Sequence, residues 1–302
     1  MESALIMIRS PSQCSGMPTN GDLRVGHIIV SRIVEREGPM MTVPATYPGH
    51  SLDDLAAVRA WLDPYIGTED QLVFAMQTIV VRTSQNLVLV ETGAGLGKQR
   101  GETDGTAEPD YLVSLRRLGY TPEDVDFVVN THLHLDHIGW NTRRRDGRWV
   151  PTFSNATYVF SRADWEYWKD KNDPTATVEE NIRPLMSTNQ ILLVNSDQQL
   201  DSETRLELVP GHTPGHFILH LESQGQHAVI AGDVFHHPLQ VAFPDWAPRF
   251  DVDPVKAREA RISFLRKYAD TETLVIPSHF PGHVGGYIVT DGTAWRWKPR
   301  RP

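Results

Sequence analysis

The stretch Thr131–His137 reads THLHLDH and places three imidazoles and one carboxylate within six residues. It follows Val125–Asn130, an apolar run that predicts a buried β-strand, so the histidines lie in a loop at a strand end, where functional residues concentrate. In such a loop the first two histidines can converge on one metal ion, while the Asp-His pair faces a second. Because an unpaired cluster of this kind is costly to bury, we interpret it as a site for two cations.

Three later segments repeat the design of a strand followed by residues of metal-ligand type. The turn Gly211–His216 carries two histidines and lies between two strand-like runs. The apolar run Ala228–Gly232 ends in Asp233, and the run Thr273–Ser278 ends in His279. Because strand ends aim side chains at the edge of a sheet, we expect these segments to meet the first motif there.

The four elements stand in the order that is the hallmark of the metallo-β-lactamase superfamily: His-x-His-x-Asp-His, a histidine in a Gly-His-Thr turn, a strand-end Asp and a strand-end His. The chain resembles this superfamily from about residue 22 to about residue 290, and in particular its branch of lactonases and organophosphorus hydrolases. The resemblance implies an α/β fold, an αββα sandwich of two mixed β-sheets with helices on the outer faces. It also implies that one metal ion is bound by His132, His134 and His212, that the other is bound by Asp136, His137 and His279, and that Asp233 bridges the two.

Further residues near these elements have separate interpretations. His216 matches a recurring second histidine of the turn and is predicted to orient a ligand or the turn through a hydrogen bond. His279 is preferred to His283 as the last ligand because it follows its strand directly and heads a His-Phe-Pro sequence seen in similar hydrolases. Glu91 stands where the family usually has an Asp that supports the ligand loops from behind. The role of His237 stays open.

The reaction implied is hydrolysis. Two divalent ions can share a water, lower its pKa towards about 7 and hold it as a bridging hydroxide, while one ion polarises the substrate oxygen. The expected substrate is a small molecule with an ester-like bond, first of all a lactone or a carboxylic ester, with phosphotriesters also open. Zinc suits the set of histidines and carboxylates, and Mn, Fe, Co or Ni are compatible with it.

Asp136 and His236 are the predicted catalytic residues. His236 lies three positions after Asp233, where some related lactonases place a tyrosine near the substrate. It either donates a hydrogen bond or a proton to the leaving group, or it simply packs beside the site.

Similar folds define the alternatives. A mononuclear iron dioxygenase, like the persulfide dioxygenases, would hold one iron and consume oxygen, whereas the complete set Asp136, His137 and His279 favours two metals. A nuclease is disfavoured because the net charge of −9 leaves no basic face for nucleic acid. A β-lactamase proper differs in its typical second-metal ligands, and a non-catalytic module would not need every ligand position filled.

The 302 residues are interpreted as an N-terminal extension, 1–21, and one hydrolase domain, 22–302, because no Pro/Gly/Ser-rich linker divides them. The single cysteine, Cys14, excludes an intramolecular disulfide and favours a reducing compartment. There is no apolar run of about 18 residues, and Met1–Asn20 lacks the apolar core of a secretory signal. We therefore expect a cytoplasmic enzyme without nucleic-acid or membrane partners; a homodimer is compatible with the sequence.

Strands are predicted within Val25–Val34 and Gln71–Val90, and helices over Tyr111–Leu118, Arg162–Lys169 and Asp253–Tyr268. The segment Asn172–Asn189 is polar with helical potential and can form a cap over the site. Five aromatic residues near the ligand segments are either ordinary core residues or an apolar wall of the site: Trp140, Phe235, Phe243, Trp246 and Phe280.

Overall fold

The computed structural model describes residues 23–68, 71–96, 98, 110–171 and 177–300. The predicted N-terminal extension, 1–21, lies outside the described residues together with Cys14, and so does part of the predicted cap segment, 172–176. Among the described residues, no helix combines the length and the apolar character that crossing a bilayer requires.

The first half of the chain forms one seven-stranded sheet and a small separate hairpin. Along the chain these strands are β1 (Leu23–Val25), β2 (Ile28–Thr42), β3 (Gln71–Arg82), β4 (Leu87–Val90), β5 (Phe127–Val129), the hairpin strands β6 (Thr142–Arg145) and β7 (Arg148–Pro151), β8 (Thr157–Ser161) and β9 (Ile191–Val194). The order in the sheet is β1-β2-β3-β4-β5-β8-β9. Strands β1 to β4 pair antiparallel, whereas β4, β5, β8 and β9 run parallel, so β4, β5 and β8 end at the same edge.

The second half forms a seven-stranded sheet in simple chain order. Its strands are β10 (Gln198–Gln199), β11 (Thr204–Leu208), β12 (Phe217–Ser223), β13 (Gln226–Gly232), β14 (Leu274–Pro277), β15 (Gly286–Asp291) and β16 (Ala294–Pro299). All neighbours pair antiparallel except β13 and β14, which are parallel. The residues that follow β13 and β14 therefore leave the sheet side by side.

The core lies between the two sheets and on their outer faces. Strand β4, with the sequence LVLV, is buried at every residue, as is typical of a parallel strand covered on both faces. Val88 and Val90 pack between the sheets, whereas Leu87 and Leu89 pack on the outer side. This alternation follows from the two-residue period of a strand and buries apolar surface in three layers.

Helices cover both outer faces, which confirms the predicted αββα sandwich of two mixed sheets. Leu115 packs beneath the first sheet and Leu265 beneath the second. The helices are α1 (Val43–Thr46), α2 (Arg59–Leu62), α3 (Asp110–Arg117), α4 (Leu135–Ile138), α5 (Arg162–Trp168), α6 (Thr177–Asn181), α7 (Arg183–Met186), α8 (Leu239–Ala242) and α9 (Pro254–Tyr268), with short 3-10 turns at Leu52–Leu55, Asp63–Tyr65 and Pro122–Asp124. Helix α5 begins at a side-chain cap, because Ser161 Oγ accepts the N–H of Ala163 at 3.1 Å.

Two contacts join the halves at the edge where the predicted ligand segments end. The N–H of Phe217, at the start of β12, donates to the carbonyl of Thr131 at 3.1 Å. The N–H of Ala75, on β3, donates to the carbonyl of His279 at 2.8 Å. The strand ends of both sheets consequently meet at one place.

Candidate metal centre

The motif Thr131–His137 leaves β5 through a short loop and enters α4. His134 precedes the helix in an extended conformation, and the Asp-His pair lies within the helix. The carbonyl of His137 accepts Asn130 Nδ2–H at 2.9 Å and the N–H of Thr92 at 2.8 Å. These bonds fold the loop back on the end of β5, so its polar side chains converge.

His132, His134 and His212 form a first group. His132 Nε2 lies 3.0 Å from His134 Nδ1 and 3.2 Å from His212 Nε2, and these last two atoms are 3.0 Å apart. Asp233 Oδ2 lies 3.4 Å from His212 Nε2 and 3.7 Å from His132 Nε2. The structure thus brings together the three histidines that the sequence assigns to one ion.

Asp136, His137 and His279 form a second group. His279 Nε2 lies 3.2 Å from His137 Nε2 and 3.5 Å from Asp136 Oδ2, and Asp136 Oδ1 lies 3.7 Å from His137 Nε2. Asp233 Oδ2 is 3.3 Å from His137 Nε2 and 3.2 Å from His279 Nε2. The Asp233 carboxylate therefore lies between the two groups, where a shared ligand would have to lie; metal binding by these residues stays a prediction.

In the first group, the hydrogen bonds of the outward-facing ring nitrogens decide which nitrogen of each imidazole carries the proton. Thr131 Oγ1 donates to Glu91 Oε1 at 2.5 Å and so accepts from His132 Nδ1, 3.1 Å away. His212 Nδ1 lies 2.9 Å from the carboxylate oxygen Asp251 Oδ1, which is an acceptor. Each imidazole thus carries its proton on Nδ1 and points the lone pair of Nε2 at the other ring. Two lone pairs 3.2 Å apart repel each other unless a cation lies between them.

The second group follows the same rule. His279 Nδ1 donates to the carbonyl of Ala75 at 2.9 Å, and His137 Nδ1 faces Glu91 Oε1 at 3.3 Å, so both Nε2 atoms again point inward. Among the described residues, Asp233 Oδ1 has no hydrogen-bond donor although it is buried. Inward-facing imidazole nitrogens and carboxylate oxygens of this kind fit divalent cations such as zinc.

The pKa values of the cluster show that its interior favours positive charge. Burial lowers the pKa of His132 and of His212 well below the usual value, so both rings are neutral. Burial also acts against the charge of His279, yet the carboxylates led by Asp233 raise its pKa to about 9. The buried carboxyl of Asp233 stays ionised because the histidines around it, led by His137, hold its pKa well below the usual range. Cations satisfy this charge balance.

The cluster opens into a cavity of about 430 Å³. Its polar floor includes His134, Asp136, Asp233, His236 and His279. Its walls are largely apolar and contain three methionines and three aromatic residues: Met40, Met41, Met76, Phe74, Trp168 and Phe250. A small molecule with an apolar part and one polar, reactive group fits such a cavity.

The sequence model of the metallo-beta-lactamase superfamily matches residues 74–289, which is most of the chain and includes the whole cluster. The chain belongs to this superfamily. Together with the buried histidine and carboxylate groups, this membership identifies it as a metal-dependent hydrolase.

Curated relatives within the superfamily are lactonases. An N-acyl homoserine lactonase of Bacillus cereus is 27% identical over 206 residues, which cover 63% of this chain and 75% of the relative. One from Bacillus thuringiensis is 24% identical over 259 residues, covering 80% of this chain and 94% of the relative. The N-acyl homoserine lactonase AttM of Azorhizobium caulinodans is 32% identical over 182 residues, covering 56% and 64%.

Solved structures share the fold. AidC, a dizinc quorum-quenching lactonase, superposes with a TM-score of 0.77 at 20% identity over 93% of this chain and 97% of that one. The hydrolase AbOPH of the beta-lactamase superfamily also gives a TM-score of 0.77, at 24% identity over 95% of this chain and 99% of that one. The superfamily architecture thus extends over nearly the whole chain.

Glu91, the departure from the usual superfamily Asp, is buried and has a positive φ of 65°. Its Oε1 accepts from Thr131 and lies 3.3 Å from His137 Nδ1. Burial raises the pKa of this carboxyl, and His137 opposes the rise. The longer side chain still reaches both ends of the metallo-β-lactamase motif from behind.

His216 makes the kind of hydrogen bond that the sequence predicts for it. Its Nε2 accepts the backbone N–H of Asp233 at 3.0 Å. Gly232 makes this approach possible: it has a φ of 53°, and a Cβ there would lie 2.5 Å from His216 Nε2 and 2.9 Å from Thr131 Oγ1. The glycine is therefore required where β13 delivers Asp233 to the centre.

Asp164, in the first turn of α5, is a supporting residue that the sequence patterns miss. Its Oδ2 accepts the N–H of Leu133 at 3.2 Å and Thr213 Oγ1–H at 2.8 Å, and its Oδ1 accepts the N–H of Gly215 at 2.6 Å. Burial raises its pKa to about 6, against the hydrogen bonds from Thr213 and Gly215. An acidic residue in a first helical turn looks like ordinary dipole compensation, so nothing local distinguished it.

Asp251 is the second residue that the patterns miss. It fixes the tautomer of His212 through Oδ1, and its Oδ2 lies 3.6 Å from the buried guanidinium of Arg261. Burial raises its pKa, while His236 and Arg261 lower it. Since it lies in a loop far along the chain from His212, only the tertiary structure pairs them.

The remaining histidines separate into three environments. His236 lines the cavity, its Nε2 lies 3.2 Å from Asp233 Oδ2, and among the described residues neither ring nitrogen forms a hydrogen bond. His237 is buried away from the cavity, donating to the carbonyl of Tyr65 at 3.0 Å and accepting a backbone N–H through Nδ1. His283 is exposed in its loop, so the preference for His279 agrees with the geometry.

Two alternatives were open for the five aromatic residues near the ligand segments. Ordinary core packing is correct, and the apolar wall of the site is wrong. The five aromatic residues pack in the core and are absent from the cavity wall: Trp140, Phe235, Phe243, Trp246 and Phe280. The wall comes instead from β2, β3, α5 and the loop at Phe250. The predicted cap segment contributes Thr177 and Val178, at the start of α6, to the cavity.

Proposed function

We propose that this chain hydrolyses a small ester-like bond, in first place that of a lactone, with two divalent cations bound at the strand-end cluster. His132, His134 and His212 would hold one cation, Asp136, His137 and His279 the other, and Asp233 both. The observation that carries the proposal is the pair of inward-facing Nε2 atoms in each group, 3.2 Å apart, on either side of one buried carboxylate.

The substrate class follows from the cavity and from the relatives. Lactonase names recur among relatives that are 24% and 27% identical to the chain. The apolar walls suit an acyl or aromatic substituent, while the polar floor suits the reacting carbonyl. Aryl esters and phosphotriesters share this division into an apolar part and one polar centre and remain in the proposal as further substrates.

Bound divalent cations such as zinc supply Lewis acidity, which activates a water and polarises the substrate oxygen. Asp136, whose carboxylate is partly exposed to the cavity, accepts the proton of the attacking water and returns it to the leaving oxygen. His236 lines the cavity, forms no hydrogen bond through its ring among the described residues, and donates a hydrogen bond to the substrate oxygen. Asp164 and Asp251 hold the ligand loops and need not touch the substrate.

The test combines metal content with turnover. Protein purified without chelator is analysed for metals per chain and assayed on an N-acyl homoserine lactone, an aryl ester and a phosphotriester, with oxygen uptake recorded in parallel. We expect at least two zinc-type ions per chain and hydrolysis without oxygen consumption. One iron per chain with oxygen uptake would contradict the proposal and favour the dioxygenase.

A matched pair of variants links the activity to the cluster. His212→Ala should lose metal and hydrolysis together, because its Nε2 belongs to the first group. His283→Ala, in an exposed loop, should keep both. Full turnover by His212→Ala at unchanged metal content would overturn the assignment.

A further inference from the structure

A second pair of histidines lies outside the catalytic centre, on the outer face of the second sheet. His220 and Glu222 alternate along β12, and His227 on β13 pairs directly opposite Glu222. Their neighbours Leu219 and Leu221 face the core between the sheets, so these three polar side chains share the opposite face. At about 3.3 Å per residue, His220 lies roughly 13 Å along the chain from the end of the turn that bears His212.

The three side chains present their donor atoms to one point. His220 Nδ1 lies 3.0 Å from His227 Nε2, the same separation as between His132 Nε2 and His134 Nδ1. A carboxylate oxygen of Glu222 lies within 4.8 Å of one ring nitrogen of each histidine. Two nitrogens bonded to one tetrahedral zinc at about 2.0–2.1 Å lie roughly 3.3–3.4 Å apart, so a shift of a few tenths of an ångström would accommodate an ion.

The outward nitrogens are anchored as in the catalytic centre. His220 Nε2 lies 2.8 Å from Glu207 Oε2, as His212 Nδ1 lies 2.9 Å from Asp251 Oδ1. His227 Nδ1 lies 3.1 Å from Thr273 Oγ1. A carboxylate or hydroxyl behind the ring is the usual support of a metal-bound histidine, because it fixes the tautomer whose free nitrogen faces the ion.

The surroundings leave room for an ion, which would share this space with the guanidinium of Arg205. A cavity of about 40 Å³, lined partly by His220 and Glu222, can hold the water that completes a coordination shell. The nearby cations are engaged by carboxylates: Lys267 Nζ binds Glu207 at 2.9 and 3.1 Å, and Arg205 lies 3.8 Å from Glu207.

We propose that His220, His227 and Glu222 form a third metal site, which binds one first-row divalent cation of the zinc type outside the catalytic centre. Two imidazoles and one carboxylate suit zinc, copper and nickel better than they suit calcium or magnesium. The ion would join β12 to β13, the hairpin whose far ends deliver His216 and Asp233. The proposal does not depend on which bond the catalytic centre hydrolyses.

The test counts zinc by difference. Metal-free wild type and His227→Gln are each dialysed against the same micromolar free Zn²⁺ and analysed by elemental analysis. The wild type should hold one zinc per chain more than His227→Gln, while hydrolysis stays unchanged because the variant lies outside the catalytic cluster. His283→Gln, another histidine removed from an exposed position, should match the wild type.

Equal zinc content in wild type and His227→Gln would overturn the proposal and leave a hydrogen-bonded chain from Glu207 through both rings to Thr273. Should His227→Gln lose its fold by circular dichroism, Glu222→Gln decides, because this exposed residue can be changed without disturbing the core. We expect it to weaken binding of the one extra zinc about 10-fold or more, measured by competition with a chromophoric chelator. Unchanged affinity would again refute the site, whatever the catalytic centre binds.

Discussion

The two halves of the sandwich contribute to the candidate metal centre in different ways. The first sheet supplies His132, His134, Asp136 and His137 from one continuous loop, closed by backbone bonds at the end of β5. The second sheet supplies His212, Asp233 and His279, each from a different strand end. The first half therefore brings its ligand-type residues together largely through local structure. The second half brings its three residues together only when its strands have assembled.

This difference indicates which substitutions should affect the centre most. A change in the continuous loop removes one side chain from one group, while Asp233 lies between both groups and belongs to the dispersed half. Close to the ligand segments, the halves are joined by the backbone pairs at Phe217 and His279 and by the carboxylate of Asp164. Substitutions in each half and at the junction can break or sharpen this comparison.

The largest effect is expected for Asp233→Ala. Removing the carboxylate that faces both groups should release both cations and lower kcat/KM by about 10³-fold or more, since metal-ion catalysis contributes several kcal/mol. His134→Ala, in the continuous loop, should lose one cation. Elemental analysis of the two variants in parallel measures the contrast, and equal metal loss would refute the distinction between a shared and a single-group ligand.

His236→Phe tests a cavity residue from the second half of the chain that the centre does not need for metal binding. We expect both cations to stay and kcat to fall about 100-fold, because the hydrogen bond to the substrate oxygen is lost. Steady-state kinetics with metal analysis checks this, and His236→Gln, which keeps an N–H donor, should recover part of the rate. A higher KM at constant kcat would instead assign His236 to packing.

Asp164→Asn tests the junction. An amide cannot accept all three donors that now converge on the carboxylate, so the loops of His132 and His212 should separate slightly and metal affinity should fall about 10- to 100-fold. Competition with a chelator measures the affinity. An unchanged affinity would show that the halves hold the first group without this link.

The raised pKa of the Asp164 carboxyl predicts that the stability of the protein depends on pH. Its pKa is raised to about 6 in the folded protein, above the usual value of 3.8, so the folded state binds more protons between these values. Its contribution therefore favours folding below about pH 4 and is lost as the pH rises through about 6. Urea unfolding of metal-free protein should show the free energy of unfolding of wild type, relative to Asp164→Asn, falling by about 3 kcal/mol over this range; a rise would contradict the sign.

Phe250→Ala carries the smallest expected effect. The side chain lines the cavity beside His236 and touches no ligand group, so it should affect only how the apolar part of a substrate binds. We expect KM to rise about 10-fold for a long-chain lactone, from the loss of roughly 1.5 kcal/mol of apolar burial, and to stay unchanged for an unsubstituted one. Equal effects on both lactones would place the acyl group elsewhere.

Much of the fold and of the candidate centre was predictable because the information is local. The strand ends and the start of the helix after Ser161 follow from short-range patterns, and the spacing in Thr131–His137 already groups its four side chains. The superfamily order of the later elements then named His212, Asp233 and His279. Asp164, Asp251 and the methionines of the cavity wall lacked such a pattern.

By itself, the sequence determined which residue types stand at which strand ends, and its resemblance to the superfamily implied the αββα class and the residues of the cluster. Only the tertiary structure decided that Glu91 and Asp251 fix the tautomers of the ring nitrogens, that Asp164 connects the two halves, and that the predicted aromatic residues fill the core instead of the cavity. The physical reason is that alternation and capping act between neighbours in the chain, whereas hydrogen bonds and packing act between neighbours in space.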